Sequence, residues 1–395
     1  MKLWQWSTDE GTDNASMNIL GKVSINGAFS TTLLKIFDQL SVQRPMIICD
    51  ATLRSQQVVQ RLIRHIEHTP RKLTVFSDFS ANPKYNEVLQ GMAWFKNQQC
   101  DFLVSIGGGS SIDVAKCIKA FHNLSPAKPY VEQPILPSEL KHLAIPTTAG
   151  TGSEATHFAV LYYRETKYSI ADQSLRPDYV ILDAQLLRTL PEYQRKAGML
   201  DALCQSIESY WALKATNTSR RYASKAIELI LNAHQGFLVN QNKANQAMLQ
   251  AADYAGMAID ITTTTAAHAM SYQLTTNYHI AHGHAVGLCL PAVWREMLVH
   301  MNLIEDPQQR QELSQVFDEI AYLLGFQEPM QAIDWLNHFI DDLQLLRPQL
   351  KNTAELETLV SAVNVQRLKN NPVPLHAEQL REIYRQVLNQ GSSTR

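Results

Sequence analysis

The sequence predicts an α/β domain with a mostly parallel sheet, followed by an all-helical domain. Up to about residue 190, short β-branched or apolar runs alternate with helical patterns, as in βαβ units. Beyond that point long helical stretches follow, such as "DALCQSIESYWALKA" and "SRRYASKAIELILNAHQGFLV". A chain of 395 residues also favours two domains. We therefore expect an α/β domain over residues 1–190 and a helical domain over residues 191–395.

Five runs are predicted as strands because they are short, apolar and rich in β-branched residues. They are "RPMIICD" (44–50), "KLTVFSD" (72–78), "DFLVSIGGG" (101–109), "HLAIPTT" (142–148) and "YVILD" (179–183). The tail segments "AELETLVSAV" and "HAEQLREIYRQVLNQ" have helical periodicity.

The composition is that of an ordinary globular protein. Lys and Arg (35) nearly balance Asp and Glu (37), so the charge predicts binding neither to nucleic acid nor to an anionic membrane surface. No apolar run is long enough to cross a bilayer, and the polar start contains no signal-peptide core. The five cysteines are scattered, without a CxxC pair, which argues against a disulfide framework and a sulfur zinc site. These features predict a cytoplasmic protein.

A glycine-rich loop follows the third predicted strand, in "LVSIGGGSSIDVAK" (103–116). Gly107, Gly108 and Gly109 allow close approach of the backbone to a ligand. The helix that begins beside Ser110 points free N–H groups at the loop, which suits a pyrophosphate. The alternative is a plain glycine turn capped by Ser110 or Ser111.

A second polar loop follows the next predicted strand, in "AIPTTAGTGSEAT" (144–156). Thr147, Thr148, Thr151 and Ser153 can donate hydrogen bonds to phosphate or ribose. Loops after parallel strands converge at the carboxyl edge of the sheet, where α/β proteins bind ligands. The alternative is a polar loop with a helix cap.

Asp50 ends the first predicted strand. A carboxylate there can accept a hydrogen bond from a ribose 2′-hydroxyl and repels a 2′-phosphate, which favours NAD(H) over NADP(H). The same residue can equally be a helix cap.

Four histidines are concentrated in "AHAMSYQLTTNYHIAHGHAV" (267–286): His268, His279, His282 and His284. Asp201 and Gln205 are four residues apart and share one face of a predicted helix. Two imidazoles, a carboxylate and an amide oxygen can hold one divalent ion. The alternatives are buried core histidines and a solvated Asp–Gln pair.

Several motifs together resemble the iron-containing (group III) alcohol dehydrogenases. They are "GGGSSIDVAK", "IPTTAGTGSEAT", "RPDYVILD", "DALCQSIESY", "HAMSYQL", "HGHAVGLCLP" and "NNPVPL", in the order found in that family. The resemblance covers about residues 17–390. It implies the dehydroquinate synthase-like fold of this family, with an N-terminal dinucleotide-binding domain, a C-terminal metal- and substrate-binding domain, and one metal in the cleft between them.

The resemblance also implies a ligand set for the metal, Fe²⁺ or Zn²⁺. By position the ligands are Asp201, Gln205, His268 and His282. The sequence departs from the family at Gln205, where the family has a histidine, and an amide oxygen is a neutral and usually weaker donor. It departs again at Tyr272, where the family often has a histidine that helps to relay a proton.

Further roles follow from matching positions. Asn82 and Lys167 match positions near the cofactor cleft and the nicotinamide ribose, and Asp113 matches one beside the phosphate loop. Lys167 can also be a plain surface charge. The cofactor is expected to be NAD(H) or NADP(H), and the proton donor to be His284, Tyr272 or a ribose-linked water. His279 and His284 are expected to line the substrate end, and the family suggests a homodimer.

Within the family, "SEATHFAV", "KYSIADQSLRPDYVILD" and "DALCQSIESYW" resemble the phosphonoacetaldehyde reductases of phosphonate biosynthesis. The implied reaction is the reduction of phosphonoacetaldehyde to 2-hydroxyethylphosphonate. Three alternatives stay open: a general short-chain aldehyde or diol dehydrogenase, a metal-dependent lyase of the dehydroquinate synthase kind, and a nucleotide-binding protein whose metal site is lost at Gln205. Candidate groups for the phosphonate are Arg176, His157, His284 and Thr262–Thr265, whereas Arg220 and Arg221 can equally be a solvated helix face.

Overall fold

The computed structural model describes residues 6–8, 21–25, 27–164 and 166–389. The chain divides into two compact units. The first contains the residues up to Leu190 together with Val239–Asp253, and the second contains Pro191–Leu238 and the residues from Tyr254 onward. The prediction assigned residues 239–253 to the helical domain. They group with the first unit because Lys22 pairs with Asp253 and Gln246 donates a hydrogen bond to Ser24.

The first unit is built on a parallel sheet of seven described strands. Its order is β1-β2-β9-β6-β5-β3-β4, and β7 and β8 form a separate antiparallel hairpin. The strands are β1 (Trp6–Thr8), β2 (Lys22–Ile25), β3 (Pro45–Ile48), β4 (Thr74–Phe76), β5 (Phe102–Gly107), β6 (Lys141–Pro146), β7 (Phe158–Tyr163), β8 (Thr166–Ala171) and β9 (Tyr179–Asp183).

The central strands are buried on both faces because helices cover the sheet. On β5, Leu103 packs into one apolar cluster, while Val104 and Ile106 pack into another. This alternation is the period of two expected of a strand. The helices of this part are α1 (Phe29–Gln39), α2 (Ala51–Ser55), α3 (Gln57–Glu67), α4 (Tyr85–Asn97) and α5 (Gly109–Phe121).

From Glu192 onward the structure is helical in every described element. The helices are α6 (Glu192–Trp211), α7 (Asn217–Leu238), α8 (Asn242–Thr262), α9 (Ala266–Tyr278), α10 (His282–Val299), α11 (Pro307–Leu323), α12 (Pro329–Asp342), α13 (Thr353–Ser361), α14 (Val365–Leu368) and α15 (Ala377–Asn389). The predicted fold class, a parallel α/β sheet followed by a helical domain, is confirmed. Among the helices described, none combines the length and apolar character needed to cross a membrane.

Local chemistry explains several helix starts. Asp306 accepts a hydrogen bond from the N–H of Gln308, and Pro307 occupies the first helical position of α11. Asn352 caps α13 in the same way, through the N–H of Glu355.

Candidate metal and nucleotide sites

The two predicted histidine ligands and the predicted aspartate lie together in the helical unit. Asp201 is in α6, His268 is in α9, and His282 is the first residue of α10. One ligand atom from each of the three lies within 4.8 Å of the others. Asp201 and His268 are buried, and His282 is half-buried. Three separate helices therefore bring a carboxylate and two imidazoles to one point.

The chemistry of these atoms fits a divalent cation. Asp201 Oδ1 lies 3.4 Å from His268 Nε2. Both atoms are buried, and neither has a hydrogen-bond partner among the residues that the structure describes. Buried polar atoms without a partner are costly, whereas a carboxylate oxygen and imidazole nitrogens are good ligands for Fe²⁺ or Zn²⁺.

Gln205, the fourth predicted ligand, is buried one helical turn after Asp201. Its side chain hydrogen-bonds the Asp201 carboxylate. It is therefore adjacent to the cluster, and its amide oxygen can serve as a further donor to the same cation.

The buried charges in this cluster support one another. Burial opposes the charged form of Asp201, but the neighbouring His268 and His282 outweigh it and lower the pKa of the carboxyl. Burial also disfavours the His268 imidazolium, yet Glu208 and Asp201 raise the pKa of that ring to about 9. A cation held here would replace the Nε2 proton of His268 as the partner of the Asp201 carboxylate.

Aromatic contacts continue outward from His282. Its ring is nearly parallel to that of Tyr272, with an angle of 4° and 5.3 Å between centroids. The guanidinium of Arg367 lies 5.0 Å from the centre of the Tyr272 ring. Tyr272, which is predicted to help with proton transfer, thus contacts the candidate ligand His282. The guanidinium of Arg367 in turn lies against the Tyr272 ring. No sequence motif indicated Arg367, because this residue lies in the short helix α14, about 95 positions after Tyr272.

The other two histidines of segment 267–286 do not belong to the group formed by the three candidate ligands. His279 is exposed and ends α9 with φ 55°. His284 is two residues after His282 in α10, and residues two apart face in nearly opposite directions. Its Nδ1 lies 3.1 Å from the Tyr193 hydroxyl, which accepts a hydrogen bond from the Ala281 N–H. Burial lowers the pKa of His284 to about 4, so its ring is neutral at pH 7.

The glycine loop in the first unit has the geometry expected of a phosphate cradle. Gly107 ends β5 with φ 154°, and a Cβ atom there would lie 2.2 Å from Ser111 Oγ. Gly108 lies against Thr148, and Gly109 lies against Thr151. Only glycine fits at 107. Residues 108–110 at the start of α5 are half-buried, so a ligand can approach the N–H groups there.

Backbone N–H groups of the residues predicted around this loop donate hydrogen bonds to it. The Thr147 N–H donates to the Gly107 carbonyl at 3.0 Å, which joins the two loops. The Asn82 N–H donates to Ser110 Oγ at 3.3 Å, and Asn82 adopts φ 59°. The predicted loops therefore converge at one edge of the sheet.

Asp50 and Asp113 have clear structural contacts. Asp50 Oδ1 accepts a hydrogen bond from the Leu53 N–H at 2.9 Å and caps α2. This contact agrees with the alternative interpretation of Asp50 as a helix cap. Asp113 accepts from the Ser153 hydroxyl and from the Val160 N–H, so it holds the polar loop against α5.

Two lysines lie close to Asp113. Burial raises the pKa of Asp113, and the neighbouring Lys116 and Lys167 partly offset this. Lys167 lies on β8, opposite Tyr162. Lys116 is fully buried and donates to the carbonyls of Ser153 and Phe158. Lys116 was not predicted from the sequence, since a single charge in a helical pattern is usually solvated.

Two sequence profiles match the chain. The profile of the iron-containing alcohol dehydrogenases matches residues 24–184, and that of the C-terminal part of the Fe-containing alcohol dehydrogenase family matches residues 196–388.

Individual relatives span most of the chain. Phosphonoacetaldehyde reductase of Streptomyces viridochromogenes is 32% identical over 296 residues, which cover 71% of this chain and 75% of that protein. NAD-dependent methanol dehydrogenase of Bacillus methanolicus is 32% identical over 297 residues, covering 73% and 74%. For 1,3-propanediol dehydrogenase of Klebsiella pneumoniae the identity is 32% over 295 residues, covering 72% and 73%.

Solved structures have the same fold. The iron-containing alcohol dehydrogenase of Thermotoga maritima superposes with a TM-score of 0.79 at 26% identity, covering 94% of this chain and 98% of that one. Sulfoacetaldehyde reductase of Bifidobacterium kashiwanohense, solved with NAD⁺, gives a TM-score of 0.80 at 24% identity, covering 99% and 100%. The resemblance inferred from the motifs is thus confirmed. The chain belongs to the iron-containing alcohol dehydrogenase family, whose members are nicotinamide-dependent oxidoreductases of alcohols and aldehydes.

Proposed function

We propose that this enzyme uses NADH to reduce phosphonoacetaldehyde to 2-hydroxyethylphosphonate, with one divalent cation, Fe²⁺ or Zn²⁺, at Asp201, Gln205, His268 and His282. The observation that carries the proposal is the meeting of three ligand atoms within 4.8 Å in the helical unit. The identity to the Streptomyces reductase, 32% over 296 residues, supports the choice of substrate.

Different residues of the chain hold the cation and the cofactor. A bound divalent cation supplies Lewis-acid polarisation of the carbonyl, and a bound nicotinamide supplies the hydride. The Gly107–Ser110 backbone at the start of α5 holds the cofactor diphosphate through N–H groups and the helix dipole. Thr148 and Thr151, beside Gly108 and Gly109, donate further hydrogen bonds to it.

Between the two side chains predicted to provide the proton, the contacts favour Tyr272. Tyr272 stacks on His282, and its hydroxyl can give a proton to the product oxygen and recover it from solvent. Burial keeps His284 neutral at pH 7, with a pKa of about 4, so this ring holds no surplus proton to donate.

The anionic end of the substrate needs a cation. We assign this role to Arg367, which is half-buried and lies 5.0 Å from the Tyr272 ring that in turn stacks on His282. Several of the earlier candidates have other contacts. Arg176 donates to the Gln173 side chain, His284 Nδ1 contacts the Tyr193 hydroxyl, and the Thr265 hydroxyl donates to Glu208.

The test is the aldehyde specificity of the protein loaded with Fe²⁺ or Zn²⁺. NADH consumption is followed with phosphonoacetaldehyde, butyraldehyde and lactaldehyde. A charge-assisted contact is worth enough to predict a preference of at least about tenfold in kcat/KM for the phosphonate. Arg367→Met should lower kcat/KM for phosphonoacetaldehyde far more than for butyraldehyde and so remove this preference, while Arg367→Lys should retain part of it.

A general short-chain alcohol dehydrogenase is the second candidate, because the methanol dehydrogenase of Bacillus methanolicus is equally identical to this chain at 32%. Equal kcat/KM values for butyraldehyde and phosphonoacetaldehyde would select this candidate and reject the phosphonate. The lyase alternative predicts no net NADH consumption with any aldehyde, so the same assay tests it.

A further inference from the structure

Glu208 is a buried carboxylate that contacts the candidate ligand His268 on the side away from the cluster. It lies seven residues after Asp201, on the same helix α6, and is completely buried. Its Oε2 is hydrogen-bonded to His268 Nδ1. Since Nδ1 is occupied, Nε2 is the ring nitrogen left to face Asp201, at 3.4 Å from Oδ1.

The other oxygen of Glu208 binds the start of the helix that carries His268. Oε1 accepts from the N–H groups of Thr265, Ala267 and His268, at 3.1, 3.0 and 3.4 Å. It also accepts from the Thr265 hydroxyl at 2.6 Å, while that hydroxyl accepts from Trp211 Nε1 at 3.0 Å. One carboxylate therefore orients both the backbone and the ring of His268.

The burial of a carboxylate at position 208 indicates a function, because a buried charge is costly unless it is fully paired. An apolar residue would pack in α6 at lower cost. A carboxylate behind a metal-binding imidazole fixes its tautomer and makes the free nitrogen a stronger donor. This contribution to metal affinity matters more in this protein, since the fourth ligand position carries Gln205, a weaker donor than histidine.

We propose that Glu208 is a positioning residue of the metal centre, which acts through His268 and never touches the cation itself. It selects Nε2 as the coordinating nitrogen and holds it toward Asp201 before the cation arrives. This inference rests on the proposed cation site and is independent of the identity of the aldehyde.

The test measures metal binding without turnover. Glu208→Gln keeps the shape and one acceptor but removes the charge. Zn²⁺ affinity, measured by competition with a chromophoric chelator, should fall about 10- to 100-fold. The visible spectrum of the Co²⁺-loaded variant should also change. The control is Glu296→Gln in α10, which perturbs another buried carboxylate, bonded to Gln386, and should leave both readouts unchanged.

Zn²⁺ affinity within twofold of wild type, together with an unchanged Co²⁺ spectrum, would overturn the proposal. If Glu208→Gln does not fold, the proposal is tested on the wild-type protein by NMR. Two-bond ¹H–¹⁵N correlation of the Zn²⁺-loaded protein should show His268 protonated at Nδ1 and coordinated through Nε2. The opposite tautomer would reject the role of Glu208. Absence of phosphonoacetaldehyde turnover alone would reject the proposed substrate and leave this inference intact.

Discussion

Gly283 of α10 packs against the carbonyl oxygen of Ala197 in α6, so closely that a Cβ atom on residue 283 would lie 2.0 Å from that oxygen. The same Cβ would lie 2.7 Å from the Cβ of Asp201. Since His282 precedes Gly283 directly, this contact sets the distance between the candidate ligands His282 on α10 and Asp201 on α6.

Gly283→Ala is therefore expected to destabilise the protein and to separate its ligands. Overpacking against a backbone atom should lower the free energy of unfolding by about 2 kcal/mol or more and should weaken Zn²⁺ binding. Gly287→Ala is the matched control in the same helix, because its Cβ would meet the movable side chain of Leu200 at 2.8 Å. Thermal melts and chelator competition measure both effects. Equal losses in the two variants would contradict the assignment.

Gln205 is expected to contribute a donor to the cation. Gln205→Ala should weaken Zn²⁺ binding by about tenfold or more, and Gln205→His should strengthen it, since imidazole is the better ligand. Calorimetric titration of the metal-free protein measures both. Gln273→Ala in α9 is the control, because its side chain donates to the Ala362 carbonyl in an exposed position. Unchanged metal content and turnover in Gln205→Ala would show that the amide is not a ligand.

Gly107 is expected to control cofactor binding. The Cβ of Gly107→Ala would lie 2.2 Å from Ser111 Oγ, so either the loop or the start of α5 must move. The overpacking cost predicts an NADH dissociation constant raised about tenfold, measured by nicotinamide fluorescence. Adding Ser111→Gly removes the colliding atoms and should restore part of the affinity. Wild-type affinity in Gly107→Ala would place the diphosphate elsewhere.

Glu154 is expected to make the stability depend on pH. Burial, followed by the charge of Asp253, raises the pKa of its carboxyl to about 7, although Lys22 and Lys116 act in the opposite direction. Because the folded-state pKa is raised, the folded protein binds the extra proton. The stabilising effect of this proton is complete below the ordinary glutamate pKa of 4.5 and is lost as the pH rises through about 7.

Thermal melts of Glu154→Gln across this range test the expectation. The variant lacks this proton, so its stability relative to wild type should increase between pH 4.5 and pH 8, by up to about 3 kcal/mol. Glu67→Gln, at an exposed position of α3, should show no such trend. A constant difference between Glu154→Gln and wild type would mean that Glu154 is ionised throughout.

Local patterns were sufficient to predict the glycine loop that follows β5 and precedes α5. The order of strand, three glycines and helix is contiguous in residues 103–116, so every part of that prediction depends on residues near one another in the chain. Asp201 and Gln205 were paired for the same reason, as they are one turn apart in α6. The assignment of His268 and His282 over His279 and His284 came from family motifs, since spacing alone did not separate the four.

Contacts between residues far apart in the chain could not be predicted from the sequence. Glu208 and His268 are separated by 60 positions, and a glutamate in a helical pattern is usually a solvated residue. Lys116 bonds to the Ser153 carbonyl 37 positions away, and Arg367 reaches Tyr272 from another helix.

The sequence alone was sufficient to predict an α/β part followed by a helical part, the glycine loop after β5 and the kinds of atoms available to a cation. Periodicity, glycine and helix-start chemistry act over a few residues, so they can be read without knowing the fold. The folded structure was needed to show that Nε2 of His268 faces Asp201, that His284 contacts Tyr193, and that Glu208 is buried behind the candidate ligand His268. These choices depend on how helices pack, and packing is set by many side chains at once.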